Sequence, residues 1–308
     1  MASKASRAAF GEALLDLGAK DPRIVTVDAD LSKSTMTVGF AKKYPDRAYN
    51  VGIAEANMIG IGAGLALTGK IPFVCSFACF AVGRYETIRI SVAYTNANVK
   101  LVGTHVGVAI GEDGYSQMGL EDIACMRALP NVPIVQPGDE LETKQVIAYA
   151  VEHEGPMYLR LTRQNLDDVC PSDYRFRLGR WLVLRPGADV TLLASGGPVA
   201  NALQAATLLA GDGISAEVIN AASIKPLDEE MLMRSAGKTG HVVTVEDHSI
   251  EGGLGGAVAE TLGELLPTPL KRLGVHGFGE SGDPKALYAK HGLDSAGIAK
   301  SVAKFLNR

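Results

Sequence analysis

Ile-Pro-Phe-Val-Cys-Ser-Phe, residues 71–77, carries no charge and shows no regular alternation of apolar and polar side chains. Such a run suits a strand buried on both faces, whereas a strand with one wet face alternates with a period of two. The same texture recurs on either side of it, in IVTVDAD (24–30), VKLVGTH (99–105), VPIVQP (132–137) and MYLRL (157–161). Longer stretches with helical character lie between these runs, at 5–19, 55–68, 84–95, 121–129 and 139–153. Apolar strands that alternate with helices need cover on both faces, so the chain reads as α/β with a mainly parallel sheet.

The pattern breaks over 165–187, a polar, proline-punctuated stretch, and then restarts. DVTLLASGG (189–197), AEVINAASIKPL (216–227) and HVVTVEDH (241–248) read as strands, with helices at 198–211, 228–236 and 254–265. A closing helix, DSAGIAKSVAKFLNR, has its N-cap at Asp294 or Ser295. The expected organisation is a first domain over 1–170, a linker over 171–187 and a second, smaller α/β domain over 188–308.

Composition excludes several function classes. Hydrophobic residues make up 47% of the 308 and charged residues 21%, and the net charge of −4 gives no basic field for nucleic acid. No apolar stretch reaches the roughly 18 residues of a membrane span, and the N-terminus lacks a signal-peptide core. Cys75, Cys79, Cys125 and Cys170 form no CxxC pair and no cluster with histidine. They read as buried small side chains in a reducing compartment, with no metal site expected and a cytoplasmic location.

Ligands of open parallel sheets sit beyond the carboxyl ends of the strands. Glu55 is a carboxylate at the start of an otherwise apolar, glycine-rich helix; it either complements the helix dipole or shares a proton with a ring nitrogen. IGIGAG, further along that helix, does not give GxGxxG, which excludes a dinucleotide site. Phe77 and Phe80, just past a strand, are either core or a platform for an aromatic ring. His105 ends a strand, and a long glycine-punctuated loop then carries Glu112, Asp113 and Gln117, as substrate loops on a rigid sheet do.

IAEANM, SFACF, GTHVGVAIGEDGYSQMGLEDIA and LTRQNL, in this order and spacing, resemble the transketolase family over residues 5–170, and the second domain resembles the family's C-terminal domain more loosely. The resemblance implies a pyrimidine-binding domain for thiamine diphosphate. Glu55 would hydrogen-bond the cofactor's aminopyrimidine ring, Phe77 and Phe80 would pack against it, and Asp30 would lie near the shared site. Arg7, Ser34, His105 and Arg163 would hold the sugar phosphate, with His105 also catalytic, and Asp113 and Gln117 would contact sugar hydroxyls. A guanidinium pair suits a phosphate dianion because forked, charge-assisted hydrogen bonds fix its orientation. The implied reaction moves a two-carbon ketol unit from a phosphorylated ketose to an aldose phosphate.

This chain departs from many family members at Gln117, where they have histidine, and at Gly83, where they have an aromatic residue. Family members bind the diphosphate and Mg2+ in a further domain, through GDG and a downstream asparagine. The GDG here, Gly211 to Gly213, lies between a helix and a strand and reads as a turn. The resemblance therefore implies an N-terminal partner subunit carrying that motif, self-association of both domains, and a heterotetramer. The β-subunit of a 2-oxo acid dehydrogenase E1 shares the two-domain layout, but THVGVAIGEDG favours transketolase. A relative acting on an unusual phosphorylated or sulfonated sugar is the nearer alternative.

Overall fold

The computed structural model describes residues 4–307 and arranges the apolar runs in two sheets. The first part contains α1 (Ser6–Lys20), β1 (Ile24–Asp28), β2 (Ala48–Asn50), α2 (Glu55–Leu67), β3 (Ile71–Phe77) and β4 (Lys100–Thr104). It continues through α3 (Asp122–Arg127), β5 (Ile134–Val135), α4 (Glu140–Glu152) and β6 (Met157–Arg160). The second part contains β7 (Leu182–Arg185), β8 (Val190–Ala194), α5 (Pro198–Gly211), β9 (Ala216–Asn220), β10 (Ser223–Lys225) and α6 (Glu229–Thr239). It ends with β11 (Val242–Ser249), α7 (Leu254–Leu265), β12 (Leu270–Val275), α8 (Pro284–His291) and α9 (Ser295–Phe305). The chain is α/β, as its pattern predicts.

The first sheet runs β10-β5-β6-β4-β3-β1-β2, parallel except for β10. The second runs β12-β11-β8-β9-β7, parallel except for β7. Every residue of β1, β3 and β4 is buried, which is why these runs read as continuous rather than alternating. Among the described residues, no helix is long and apolar enough to cross a membrane.

Local chemistry sets the element ends. Asp139, Asp228 and Asp294 each accept a backbone N–H from the first turn of the helix they precede, so Asp294 rather than Ser295 caps α9. The Gly211–Gly213 stretch is a helix-to-strand turn: Ile214 N donates to Leu209 O (2.9 Å) and Gly213 N to Ala210 O (3.2 Å), with Gly213 at φ 74°. That pair of bonds closes a Schellman motif, whose left-handed position favours glycine.

Four readings need correction. Residues 216–227 form two strands, not one. After β9 the chain turns at Ala221–Ala222, and β10 leaves its own sheet to pair antiparallel with β5 on the edge of the first. The stretch 171–187 is not all linker, because β7 joins the second sheet beside β9. The helix read at 84–95 opens into wide π-type turns over Ile88–Tyr94. Finally, β12 and α8 were not anticipated; LKRLGV is an edge strand with three residues only partly covered or exposed, and its charges mask the period.

Candidate active site

The carboxyl ends of β1, β3, β4 and β6 converge, and most of the singled-out residues lie there. Arg7, at the start of α1, donates through one Nη1 to Ser34 O (2.8 Å) and faces His105 Nε2 at 3.2 Å. Arginine has no acceptor, so Nε2 receives this hydrogen bond and carries no proton. Nδ1 then bears the ring proton toward Thr104 Oγ1 at 2.9 Å, and Thr104 Oγ1 donates to Ser76 O at 3.4 Å. Burial, then the charges of Arg7 and Arg163, push His105 down to about 3, so its ring is neutral at physiological pH. Burial and the Arg163 charge also lower Arg7 from its ordinary value, against the pull of Asp113.

Arg163 follows β6. Its Nη1 donates to Asp113 Oδ2 (2.8 Å) and to Ile110 O (3.2 Å), with both charged side chains about 40% exposed. Two arginines, one neutral histidine and one carboxylate therefore share a half-open corner. His105 sits at φ 59°, a left-handed conformation uncommon outside glycine and concentrated at functional sites.

The aromatic residues join this corner. Phe77 stacks on His105, with centroids 3.6 Å apart and planes 22° apart, and on Phe80, at 5.4 Å and 10°. Phe77 is 7% exposed and engaged by both rings, whereas Phe80 is half-buried. Glu55 opens α2 and is 7% exposed, and among the described residues no protein group hydrogen-bonds its carboxylate. α2 packs beside the helical turn Ala78–Val82 that holds Phe80, but Glu55 has no bond to the arginine corner.

Three residues stand apart. Asp30 is exposed and pairs with Asn50, whose Oδ1 accepts from Asp30 N (3.0 Å) and whose Nδ2 donates to Asp30 Oδ1 (3.2 Å). Gln117 is half-buried in a short 3-10 turn. Tyr85, near Gly83, packs against the core of the first domain. Ser34 meets Arg7 through its backbone oxygen, and its turn is pinned from below by Asp28, which accepts from Thr35 (2.8 Å) and Thr37 (2.6 Å).

Sequence reasoning missed Thr104, which orients the His105 ring, and the contribution of the second domain. The run Glu246-Asp247-His248 at the end of a strand was the available signal. Glu246 accepts from Leu254 N and Gly255 N at the start of α7 (2.7 and 2.8 Å), and Asp247 reaches the His105 loop. His248 Nε2 accepts from Ile123 N (3.2 Å) and Ala124 N (3.4 Å), capping α3 across the domain boundary.

Two transketolase domain families match this chain: the pyrimidine binding domain over residues 2–168 and the C-terminal domain over 179–298. A protein of Methanocaldococcus jannaschii named as a transketolase C-terminal section is 46% identical over 310 residues, covering 99% of this chain and 97% of that protein. The chain belongs to the transketolase family. The 6-deoxy-6-sulfo-D-fructose transketolase subunit SqwH of Clostridium sp. strain MSTE9 is 44% identical, covering 98% of this chain and 94% of that one. A solved split gene transketolase, in the form of an inactive beta4 tetramer, superposes with a TM-score of 0.90 at 46% identity, covering 99% of both chains.

The cap supplied by His248 gives this transketolase-family chain a testable acid response. Burial, opposed by the Asp122 charge, holds His248 down to about 4. The unfolded chain therefore binds a proton here below about pH 6.5 that the folded chain refuses until about pH 4. This residue's stabilisation is complete above pH 6.5 and is lost as pH falls through that window, by up to about 3 kcal/mol. Asp28, pushed up to about 6, and Glu246, to about 7, act with the opposite sign, so total stability does not isolate the effect. The stability advantage of wild type over His248→Gln should shrink between pH 6.5 and 4.5 in urea unfolding. Parallel pH profiles would show that His248 is not held neutral.

Proposed function

We propose that this chain is the C-terminal subunit of a two-chain transketolase, supplying the pyrimidine side of a thiamine diphosphate site and the phosphate end of the sugar site. The observation that carries the reading is the corner of Arg7, His105, Arg163 and Asp113 beside a helix-opening Glu55. The residues fit the cofactor: Glu55 holds a nearly buried carboxylate that no protein donor occupies, and half-buried Phe80 can offer a ring face. Phe77, engaged by His105 and Phe80, then backs the pocket rather than lining it.

Thiamine diphosphate, when bound, supplies the nucleophilic carbon that takes up the two-carbon unit. Glu55 would hold a proton against the pyrimidine ring. His105, neutral and unprotonated at Nε2, would accept from a sugar hydroxyl once Arg7 turns its fork to the phosphate. Asp113 would choose among hydroxyl orientations, and Gln117 could donate or accept a hydrogen bond there but not move a proton. Asp30 would lie at the rim, toward the partner. Diphosphate and Mg2+ would be held by an N-terminal subunit carrying GDG, in a cytoplasmic heterotetramer built through both domains. The likeness to a split gene transketolase and to a named transketolase subunit supports a separate partner.

Arg163→Ala tests the phosphate corner. Losing a charge-assisted hydrogen bond at a part-exposed site costs about 1.5 kcal/mol, roughly tenfold in kcat/KM. The loss should fall on KM for glyceraldehyde 3-phosphate and spare glyceraldehyde; equal losses on both would remove Arg163 from the phosphate site. A second reading exchanges phosphate for sulfonate, since both present oxygens around a tetrahedral centre, and the 44% identity to the sulfofructose subunit favours it. A higher kcat/KM for a 6-sulfonated ketose than for its phosphorylated counterpart would select it.

A further inference from the structure

We propose that the second domain is the clamp of the sugar-phosphate loop, with Asp247 as the positioning residue; the substrate part of this claim rests on the function proposed above. Asp247, on β11, is 3% exposed. Its Oδ1 accepts from Val108 N at 2.8 Å, and its Oδ2 accepts from Ala109 N at 3.5 Å and from the Tyr288 hydroxyl at 2.9 Å. Val108 and Ala109 lie between His105 and Asp113. The approach is so close that a Cβ on Gly107, itself at φ 80°, would fall 2.0 Å from Asp247 Oδ2.

The clamp reaches the other wall of the corner as well. Tyr288, on α8, accepts from Gln164 Nε2 at 2.8 Å, and Gln164 follows Arg163 directly. Arg163 in turn donates to Ile110 O in the same loop. The far end of the loop is fixed through the backbone of the same residue. Arg160 Nη2 donates to both Asp247 O (3.0 Å) and Gly119 O (2.9 Å), while the Arg160 side chain pairs with Asp122 in full burial. Gly119 N closes the loop onto His105 O at 3.1 Å.

A carboxylate out of water is costly unless its oxygens are taken up. The Asp247 oxygens are taken up by two loop amides and one hydroxyl that leads to Arg163. One residue of the second domain thus sets both the loop that begins with His105 and the strand end that carries Arg163. This gives the second domain a part in substrate binding, although none of its described residues lies in the arginine corner.

The test uses the chain assembled with its partner subunit and two variants, Asp247→Asn and Tyr288→Phe. The second removes a single oxygen and keeps the fold if the first does not. Amide hydrogen exchange over residues 106–113 should speed up by about tenfold or more in both, while β3 stays at the wild-type rate. KM for the sugar phosphate should rise about tenfold, with a smaller change in kcat and none in proton exchange at the cofactor's thiazolium carbon. Wild-type exchange over 106–113 in Tyr288→Phe would overturn the proposal. So would faster exchange in both domains alike, or a fall in kcat with KM unchanged. If the proposed function is wrong, the wild type itself will show no cofactor exchange or sugar-phosphate turnover, while amide exchange still reads the clamp.

Discussion

Glu55→Gln is expected to abolish turnover in the assembled enzyme while the chain stays folded. Glu55 opens α2, and its neighbours one turn on, Met58 and Ile59, are fully buried. Glutamine is nearly isosteric, so this packing survives. The fold loses only a charge at a helix start, about 0.3–1 kcal/mol. What the amide cannot do is hold or share a proton. Acid–base contributions of this kind are worth about 10²–10⁴ in rate, and here the cofactor would lose the carboxylate proposed to face its pyrimidine ring. Proton exchange at the thiazolium carbon, followed by NMR in the reconstituted enzyme, reads this step without substrate. Exchange at the wild-type rate in the variant would remove Glu55 from the site.

The second large effect is dependence on a partner. The chain alone should show no transketolase activity, and activity should appear on titration with a GDG-bearing subunit and saturate near equal amounts of the two. The surface along α2 and the helix beside it is suited to contact between chains. Ile53 (86% exposed), Leu67 (81%), Ile90 (44%) and Tyr94 (85%) lie on or beside α2, the helix that Glu55 opens. Large apolar side chains left in water along one helix and its neighbour suit a face that association would cover. Activity of the isolated chain at the level of the mixture would refute a shared site.

The fold was legible where one local rule decides it. β1, β3 and β4 are buried on both faces, so their sequences read as continuous rather than alternating, and an N-cap candidate at Asp294 or Ser295 marked the start of α9. It was illegible where a distant partner decides. Ser-Ile-Lys at 223–225 reads as a continuation of β9, because nothing local says that its hydrogen bonds lie in the other sheet. The site divides in the same way. The corner residues stand at strand ends and could be named, but which of them touch depends on the backbone. His105 meets Phe77 because β3 and β4 pair with Phe77 opposite Thr104, and twenty-eight positions of sequence separation carry no sign of that register. Asp247 showed only as one member of the polar run Glu246-Asp247-His248, and Tyr288 gave no sign, for the same reason. Each meets an amide across the domain boundary, Asp247 those of Val108 and Ala109 and Tyr288 that of the Gln164 side chain, and such partners leave no pattern in the residues between.

If this chain holds half of a thiamine diphosphate site, calorimetry of cofactor binding will show it. A ring contact and one strong hydrogen bond give a few kcal/mol, which corresponds to about millimolar affinity. The diphosphate needs a cation held by oxygen ligands and a helix N-terminus, which the partner subunit would supply. Titration of thiamine diphosphate and Mg2+ into the chain alone should give about millimolar binding or weaker, and into the mixture with the GDG-bearing subunit about micromolar, Mg2+-dependent binding. Micromolar, Mg2+-dependent binding by the chain alone would contradict the account, because it would place the diphosphate site within this chain.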